Sequence, residues 1–442
     1  MRNSAIARLL VMAFLTICLL IPLSMVQGVV GERAGRRSEA VTRFSEEWGG
    51  QQTVAGPVLS VPYTTTWTDN AGRIQRASGR AHVLPRDVNI EAKLNTEVRK
   101  RGIFEVTLYH TDLRVSGRFV RSDLNWIRPA PDRLHWDEAT VSVGISDPSG
   151  LTRRTALTWN GRDVPFSGGV ADVGVFSAGI QARVPELETV PAGTELPFNF
   201  TLSVNGTRDL RFAPTADETV VNVAAPWPHP SFVGAPLPED RRIDSNGFTA
   251  RWHVPDFGRP YPARWTNADV NHEQLPSQVQ CSAFGVSLIQ PVDIYQQAER
   301  AVKYAVLFLV LTFVVFFMWE IFSATLLHPV QYAFVGFAMC LFYLLLISLS
   351  EHAGFDVAYA ISAVVTTALI GGYARAILGG RRQAVSVAAS LAGIYGFLYL
   401  LLRLEDYALL AGSIGLFLVL AVMMYITRRM NWYELRLGTE PR

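Results

Sequence analysis

The sequence predicts an integral α-helical membrane protein of six spans, arranged one plus five, with a large mainly-β domain of sandwich-like layers inserted after the first. One apolar segment, Leu9–Val26, lies near the N-terminus, and five more follow one another between Lys303 and Arg428. Each has about the ~20 residues that a helix needs to cross a bilayer. The region between them is rich in Arg, Asp, Pro and Thr and is long enough to bury a core of its own.

The first apolar segment has the position of a signal peptide but not its pattern. It follows Arg2 and Arg8 and exceeds the ~7–15 apolar residues of a signal peptide. The sequence Met25–Gly28 is also a poor match to a small-residue cleavage site. We therefore expect an uncleaved anchor.

Loop charges predict the orientation. Arg381 and Arg382 share one loop and more arginines follow from Arg428, whereas alternate loops contain Glu351 and Asp356. Because short cytoplasmic loops carry an excess of Lys and Arg, we expect both termini to be cytoplasmic and the central β domain to lie on the outer side of the membrane. The expected spans are residues 9–27, 304–324, 331–350, 357–377, 384–402 and 407–427. The expected domains are 1–30 (first span), 31–300 (the β domain, of one or two lobes), 301–430 (the five-helix bundle) and 431–442 (the tail).

The central region shows short strands separated by turns, which is typical of packed β layers. Phe104 to Phe119 alternates apolar and polar residues, as a half-buried strand pair does. Asn160-Gly161 and Asn205-Gly206 have the composition of two-residue hairpin turns. The strand order does not follow from these signals.

Composition excludes several functional classes. The formal net charge is only +2, so no nucleic-acid partner is expected. Cys18 and Cys340 fall in apolar segments and leave Cys281 as the only thiol of the β domain, so no disulfide can form within it. Neither C-x-x-C nor a Cys/His metal spacing occurs, and we predict no metal site and no cofactor.

A proline-rich loop is the candidate docking surface of the β domain. It contains Trp227, His229 and Phe232 among three prolines, which make a stiff, extended and partly apolar segment. One interpretation is that it binds a partner. The other is that its aromatic side chains fill the core of the sheet.

Ionisable residues near the expected outer ends of the spans form the first candidate polar site. Glu351, His352, Arg403, Glu405 and Asp406 include carboxylates and an imidazole, which could transfer protons or bind a cation. The alternative is that they are ordinary helix-end residues, since acids favour helix N-termini and bases favour C-termini.

A second candidate cluster lies toward the cytoplasmic ends and comprises Glu320, His328 and Arg375. Charged groups inside spans are costly and are usually paired. We expect an ion pair between Glu320 and Arg375 that holds two helices together, with a transport site as the alternative.

Several stretches of the chain resemble the CreD family of inner-membrane proteins of Gram-negative bacteria. They occur in order along nearly the whole chain and include Glu46–Gln51, Gly56–Leu59, Trp227–Phe232, Pro291–Asp293, His328–Tyr332, Ser350–Phe355 and Glu405–Leu410. The resemblance implies a protein associated with cell envelope integrity and the envelope stress response, expressed under a response regulator. It implies no reaction, substrate or catalytic residue.

Two functions from different classes remain at this stage. The first is a non-enzymatic envelope-integrity protein whose periplasmic domain binds a periplasmic protein or a cell-wall component. The second is a membrane-embedded enzyme or transporter that acts on a lipid-linked or amphiphilic substrate through the outer-face cluster. The absence of a nucleophile motif or metal-ligand spacing favours the first. Membrane lipids are expected partners in either case, and the oligomeric state stays open.

Overall fold

The computed structural model describes residues 5–68, 72–128, 130–269, 274–289, 294–323, 327–378, 380–404 and 407–428. The chain divides into two compact units, one made of residues 1–38 with 292–442 and the other of residues 39–291. The helices are α1 (Ala5–Trp48), α2 (Leu275–Cys281), α3 (Ile294–Ser323), α4 (Pro329–Ala353), α5 (Phe355–Leu378), α6 (Arg381–Arg403) and α7 (Ala408–Thr427).

Within the described residues, six helices are long and apolar enough to cross a membrane, namely α1 and α3 to α7. This confirms the one-plus-five pattern. Only Gly354 separates α4 from α5, and its φ of 76° suits glycine because it has no Cβ. Short connections of this kind make consecutive helices antiparallel neighbours.

Aromatic side chains form the centre of the membrane unit. Phe308, Phe313 and Phe342 are fully buried, and the Phe342 ring lies 4.5 Å from that of Tyr395 on α6. Helix α3 packs on α4 and α6, whereas α7 contacts α6 and contains no buried residue. The apolar surface of α7 is therefore left for lipid or another protein.

The second unit consists of two β-sheets. Its strands are β1 (Gln52–Thr68), β2 (Ile74–Val83), β3 (Asp87–Arg101), β4 (Phe104–Val120), β5 (Arg133–Leu134), β6 (Thr140–Ile145), β7 (Ala156–Trp159), β8 (Arg162–Pro165), β9 (Ser167–Gly168), β10 (Gly179–Arg183), β11 (Glu195–Thr207), β12 (Asp209–Phe212), β13 (Glu218–Ala225), β14 (Pro230–Val233), β15 (Asp240–Asp244), β16 (Gly247–Pro255), β17 (Arg264–Thr266) and β18 (Phe284–Leu288). One sheet has eight strands in the order β15-β16-β13-β3-β4-β11-β7-β8. The other has ten, with β14-β18-β12-β1-β6-β10-β9 as its main path.

One large core fills the space between the sheets. Strand β13 buries every second residue, and so does β3 as far as Leu94, as a sheet with one solvated face does. Trp252 and Phe119 from the eight-stranded sheet and Phe212 and Phe284 from the ten-stranded sheet are fully buried in this core. The predicted mainly-β, layered architecture is therefore confirmed.

A smaller core lies on the opposite face of the ten-stranded sheet. It contains Val58, Phe176, Trp265 and Val279, so helix α2 and the segment around Phe176 cover this face. Strand β1 is consequently buried on both faces over most of its length. That explains the apolar run from Val54 to Tyr63, which is interrupted only by Ser60.

Two turn predictions had different outcomes. Asn160-Gly161 joins β7 to β8, and both residues have the positive φ of a tight hairpin. Asn205-Gly206 is not a turn, because it lies inside β11, where Gly206 pairs with Tyr109 of β4. A Cβ at Gly206 would lie 2.4 Å from the Tyr109 hydroxyl, so close packing, not a turn, requires this glycine.

The predicted strand pair at Phe104–Phe119 is also wrong in detail. The segment is one long strand, β4, and its partner β3 precedes it. The turn between them contains Gly102 with a φ of 63°. An alternating pattern is the same for one long strand and for two short ones, so the sequence did not distinguish them.

Candidate functional sites

Glu320 is a fully buried carboxylate in the membrane unit. Its Oε1 pairs with the guanidinium of Arg8 on α1 and accepts a hydrogen bond from the backbone N–H of Leu327 at 3.1 Å. Its Oε2 accepts a hydrogen bond from the Tyr332 hydroxyl of α4 at 2.7 Å. The sequence predicted Arg375 as the partner, and this is wrong. Helix α1 reaches the buried side of α3 and supplies Arg8 instead.

His328 ends the turn between α3 and α4 as a helix cap. Its Nδ1 accepts a hydrogen bond from the Val330 N–H at 3.3 Å, and the Gln331 Oε1 accepts one from the His328 N–H at 2.8 Å. With Pro329 as the first helical residue, this is a complete capping arrangement. One ring nitrogen of this imidazole is therefore engaged in starting α4.

Glu351, at the other end of α4, is bonded to two other helices. Its Oε1 lies 3.8 Å from the Arg33 Nε of α1 and accepts a hydrogen bond from the Tyr295 hydroxyl of α3 at 3.2 Å. The carboxylate side chain is 7% exposed. The neighbouring His352 is exposed, and its Nδ1 contacts the Ser348 carbonyl of its own helix at 3.1 Å.

Arg403 belongs to a separate cluster between α5 and α6. Its guanidinium pairs with Asp356, and its Nε donates to the Tyr399 hydroxyl at 3.1 Å. The Tyr399 hydroxyl in turn donates to Asp356 at 3.1 Å. Glu405 and Asp406 lie outside the described residues. The predicted outer-face set is therefore divided, since Glu351 bonds to α1 and α3 while Arg403 bonds to α5.

Helix α1 thus makes an ionic contact near each end of its apolar segment. Arg8 and Arg33 are twenty-five residues apart in one helix, which corresponds to about 37 Å. That distance exceeds the ~30 Å hydrocarbon core of a bilayer, so both arginines can lie near an interface. In between, Leu19 packs so closely on Gly336 of α4 that a Cβ there would lie 2.2 Å from the leucine methyl.

The sequence matches a known family of membrane proteins over nearly its whole length. The sequence profile of the family described as inner membrane protein CreD matches residues 4–433. The chain belongs to the CreD family. A relative from Escherichia coli strain K12, itself described as inner membrane protein CreD, is 33% identical over 423 residues. The match covers 95% of this chain and 92% of the relative.

In this CreD-family chain the proline-rich loop is partly buried. The Trp227 Nε1 donates to the Ile289 carbonyl at 3.0 Å. The Phe232 ring packs edge to face on Phe248 at 5.9 Å and on Trp252 at 5.7 Å. His229 is exposed between them. The geometry corresponds to the interpretation in which the aromatic side chains fill the core, and it leaves the imidazole facing solvent.

The structure also contains a buried polar network that sequence reasoning missed. The Ser60 Oγ lies 2.9 Å from the His82 Nδ1, and the His82 Nε2 lies 3.1 Å from Asp172 and 3.0 Å from Asn267. The Trp265 ring stacks on the imidazole at 5.3 Å. Ser60 and His82 face each other in register on β1 and β2, but the other partners are far away in sequence.

The network has the residue types of a nucleophilic relay, yet its setting indicates a structural role. Ser60 is 2% exposed and His82 is fully buried, so neither is open to a substrate. Asp172 also accepts a hydrogen bond from the Gly174 N–H at 2.8 Å, which shapes its own segment. The network therefore ties the segment that covers the smaller core to the ten-stranded sheet.

Asp147 stabilises the start of the β domain by accepting three hydrogen bonds. They come from the Gly50 N–H at 2.7 Å and from the Ser149 N–H and hydroxyl at 3.1 and 2.6 Å. Partial burial alone raises the pKa of Asp147, but the hydrogen bonds from Ser149 and Gly50 outweigh it and leave the pKa below its ordinary value. The carboxylate form is thus favoured in the folded state.

Among the residues that the structure describes, no three His, Cys, Asp or Glu side chains come together in a way that could hold a metal ion.

Proposed function

We propose that this CreD-family protein supports cell envelope integrity without catalysing a reaction, and that its β domain lies in the periplasm and binds an envelope component. The observation that carries the proposal is the pairing of charged groups in the membrane unit. Glu320, Glu351 and Asp356 each bond to an arginine of another helix. The Glu320 carboxylate is buried, so loss of its arginine would be costly, whereas the more exposed pairs at Glu351 and Asp356 add weaker contacts between helices. The pairing favours a role in holding helices together.

The β domain supplies the binding surface in this proposal. The exposed face of its eight-stranded sheet carries a groove of about 800 Å³. The groove is lined by both signs of charge, with Lys93, Arg114 and Arg251 beside Glu91 and Asp112. Such a surface suits a polar partner, such as a periplasmic protein or a cell-wall component, because charge complementarity gives specificity.

Site-specific photo-crosslinking in cells tests which surface binds. A photoreactive residue at Asn222, on the groove, should give discrete adducts, whereas one at Ile74, which is 78% exposed and does not line the groove, should give few. Adducts from position 229 but not from position 222 would move the site to the proline-rich loop. Equal adducts from all positions would contradict a defined surface on this domain.

The orientation rests on the arginines at one end of the bundle and can be tested with a native thiol. Cys281 is exposed in the β domain, whereas Cys340 is buried. A membrane-impermeant maleimide should label Cys281 in cells with a permeabilised outer membrane, and the variant Cys281→Ser should lose the label. In the Cys281→Ser background, the variant Arg382→Cys should be labelled only after the inner membrane is broken. The reverse labelling would overturn the proposed orientation.

Complementation of a deletion strain distinguishes a structural role of the outer-face residues from a catalytic or transport role. In a strain that lacks its own copy, Glu351→Gln and His352→Ala should restore resistance to detergent and cell-wall antibiotics, provided membrane abundance is unchanged. Loss of complementation by both variants at normal abundance would instead favour an enzyme or transporter that uses the outer-face residues. Arg33→Gln serves as the control that disturbs the same contact without removing a carboxylate.

A further inference from the structure

A groove lined mostly by apolar residues lies between α5 and α6 of the membrane unit. Its volume is about 810 Å³. Small side chains line most of it, among them Ala360, Val364, Ala368 and Gly372 of α5 and Ala388 and Ala392 of α6. The small side chains on both helices leave an open groove whose walls are mostly apolar, which suits a chain of methylene groups.

The two ends of this groove differ in charge. Asp356 and Arg375 line opposite ends, and the nineteen residues between them correspond to about 28 Å of helix. That is close to the ~30 Å hydrocarbon thickness of a bilayer. Asp356 is neutralised by Arg403, so only the Arg375 end keeps an unmatched charge.

Three arginines gather at that end. Arg375 lies in the last turn of α5, and Arg381 and Arg382 begin α6. The sequence contains no Asp or Glu from residue 357 to residue 404. Within the described part of the chain, no carboxylate forms an ion pair with any of the three. The arginine end therefore has a positive potential that its own helices do not neutralise.

We propose that this groove binds an anionic phospholipid of the bilayer. The phosphate lies against Arg375, with Arg381 and Arg382 adding to the potential, and an acyl chain extends along the small residues from Gly372 toward Val364. Basic pockets between transmembrane helices recognise anionic headgroups in this way. The site is distinct from the proposed binding surface of the β domain.

Charge also argues against a second copy of this chain as the occupant. Helix α7 is the unburied helix that such a copy would present, and it is followed by Arg428. If α7 of a second copy lay in the groove with its C-terminal end toward Arg375, Arg428 would come close to Arg375, and the two positive charges would repel each other. A phosphate instead supplies the missing negative charge.

Native mass spectrometry of the full-length protein tests the charge part of the proposal. The protein is delipidated in detergent and mixed with phosphatidylglycerol and phosphatidylethanolamine of identical acyl chains. We expect selective retention of phosphatidylglycerol, and about fivefold weaker retention for Arg375→Gln. Arg428→Gln removes a cation at the end of α7, outside the groove, and should bind as the unchanged protein does. If Arg375→Gln and Arg428→Gln lost the same amount of phosphatidylglycerol retention, the lipid would be attracted by the general positive charge of the protein and not by this groove. That result would overturn the proposal.

A second pair of variants tests the place of the acyl chain. A Cβ at Gly372 or at Gly393 meets nothing within 4 Å, so both positions tolerate a larger residue, but only Gly372 lines the groove. Gly372→Leu should therefore abolish selective retention, whereas Gly393→Leu should not. Both must keep the unfolding temperature of the parent in detergent. If Gly372→Leu retained phosphatidylglycerol as the parent does, the proposal would be overturned. It would also be overturned if Gly372→Leu, but not Gly393→Leu, broke a dimer of the protein while lipid binding persisted, because the groove would then hold a second copy of the chain.

Discussion

The buried pair between Arg8 and Glu320 allows a quantitative prediction about how α1 is held in the membrane unit. The Glu320 side chain is 1% exposed and that of Arg8 is 17% exposed. In Arg8→Met the carboxylate keeps its hydrogen bonds from Tyr332 and Leu327 but loses its counter-charge. Breaking a buried pair from one side costs about 3–5 kcal/mol, and we expect a destabilisation in that range.

Removing the carboxylate of the pair instead of the guanidinium should destabilise the protein less. Glu320→Gln keeps an acceptor for Tyr332, and the long Arg8 side chain can extend toward the interface. We expect a loss of about 1.5–3 kcal/mol from the charged hydrogen bonds alone. The double variant should resemble Glu320→Gln, because the unpaired carboxylate that makes Arg8→Met costly is absent.

The assay is reversible unfolding in mixed micelles, followed by tryptophan fluorescence, for the two single variants and the double variant. Arg33→Met is the matched control on the same helix. Its partner distance is 3.8 Å and its side chain is 39% exposed, so its loss should stay below about 1 kcal/mol. The pairing of Glu320 with Arg8 would be refuted if the loss of stability in the double variant equalled the sum of the losses in the two single variants. It would also be refuted if Arg8→Met and Arg33→Met destabilised the protein equally.

Three further predictions concern single contacts. Asp172→Ala should destabilise the β domain by about 1–3 kcal/mol, since it removes one of the two partners of the His82 Nε2 and the acceptor of the Gly174 N–H, and should speed proteolysis near residue 172; unchanged proteolysis would contradict the role of the network. The pKa of Asp147 is lower in the folded protein than in the unfolded chain. The Asp147 carboxylate therefore contributes its full stabilisation of the fold at pH values above the unfolded-state pKa, and this contribution is lost as the pH falls through the folded-state pKa. Asp147→Asn should therefore show less acid destabilisation below about pH 4 than the parent in a pH series of thermal unfolding, and identical slopes would contradict this. Gly336→Leu should displace α1, because the new side chain occupies the place of Leu19, and should lower the unfolding temperature in detergent, whereas Gly393→Leu should not.

Several local features could be predicted from the sequence because they depend on residues close together in the chain. A helix spans a bilayer when about twenty consecutive residues are apolar, and this property needs no knowledge of partners. The Asn160-Gly161 turn formed as predicted for the same reason. Asn205-Gly206 has the same composition but lies within β11, because pairing with β4 continues through it and the Tyr109 ring occupies the space beside the glycine.

The candidate sites were harder to predict, because each depends on which helix lies next to which. Glu320 was correctly identified as a charge that needs a partner, but Arg375 was assigned to it on sequence position alone. Arg8 was considered only as a flanking charge of the first span. The outer-face residues were grouped because all lie near span ends, and the structure instead pairs Glu351 with Arg33 and Arg403 with Asp356.

The sequence by itself determined that this chain has six spans in a one-plus-five order around a mainly-β domain. Span length, strand alternation and loop charge are properties of consecutive residues, so they can be read in one dimension. The tertiary structure alone decided that Arg8 pairs with Glu320, that His82 bonds with Asp172, and that small residues on α5 and α6 open a groove toward Arg375. These contacts join residues far apart in the chain, and a buried polar group takes whichever partner the packing of helices and sheets brings within hydrogen-bond distance.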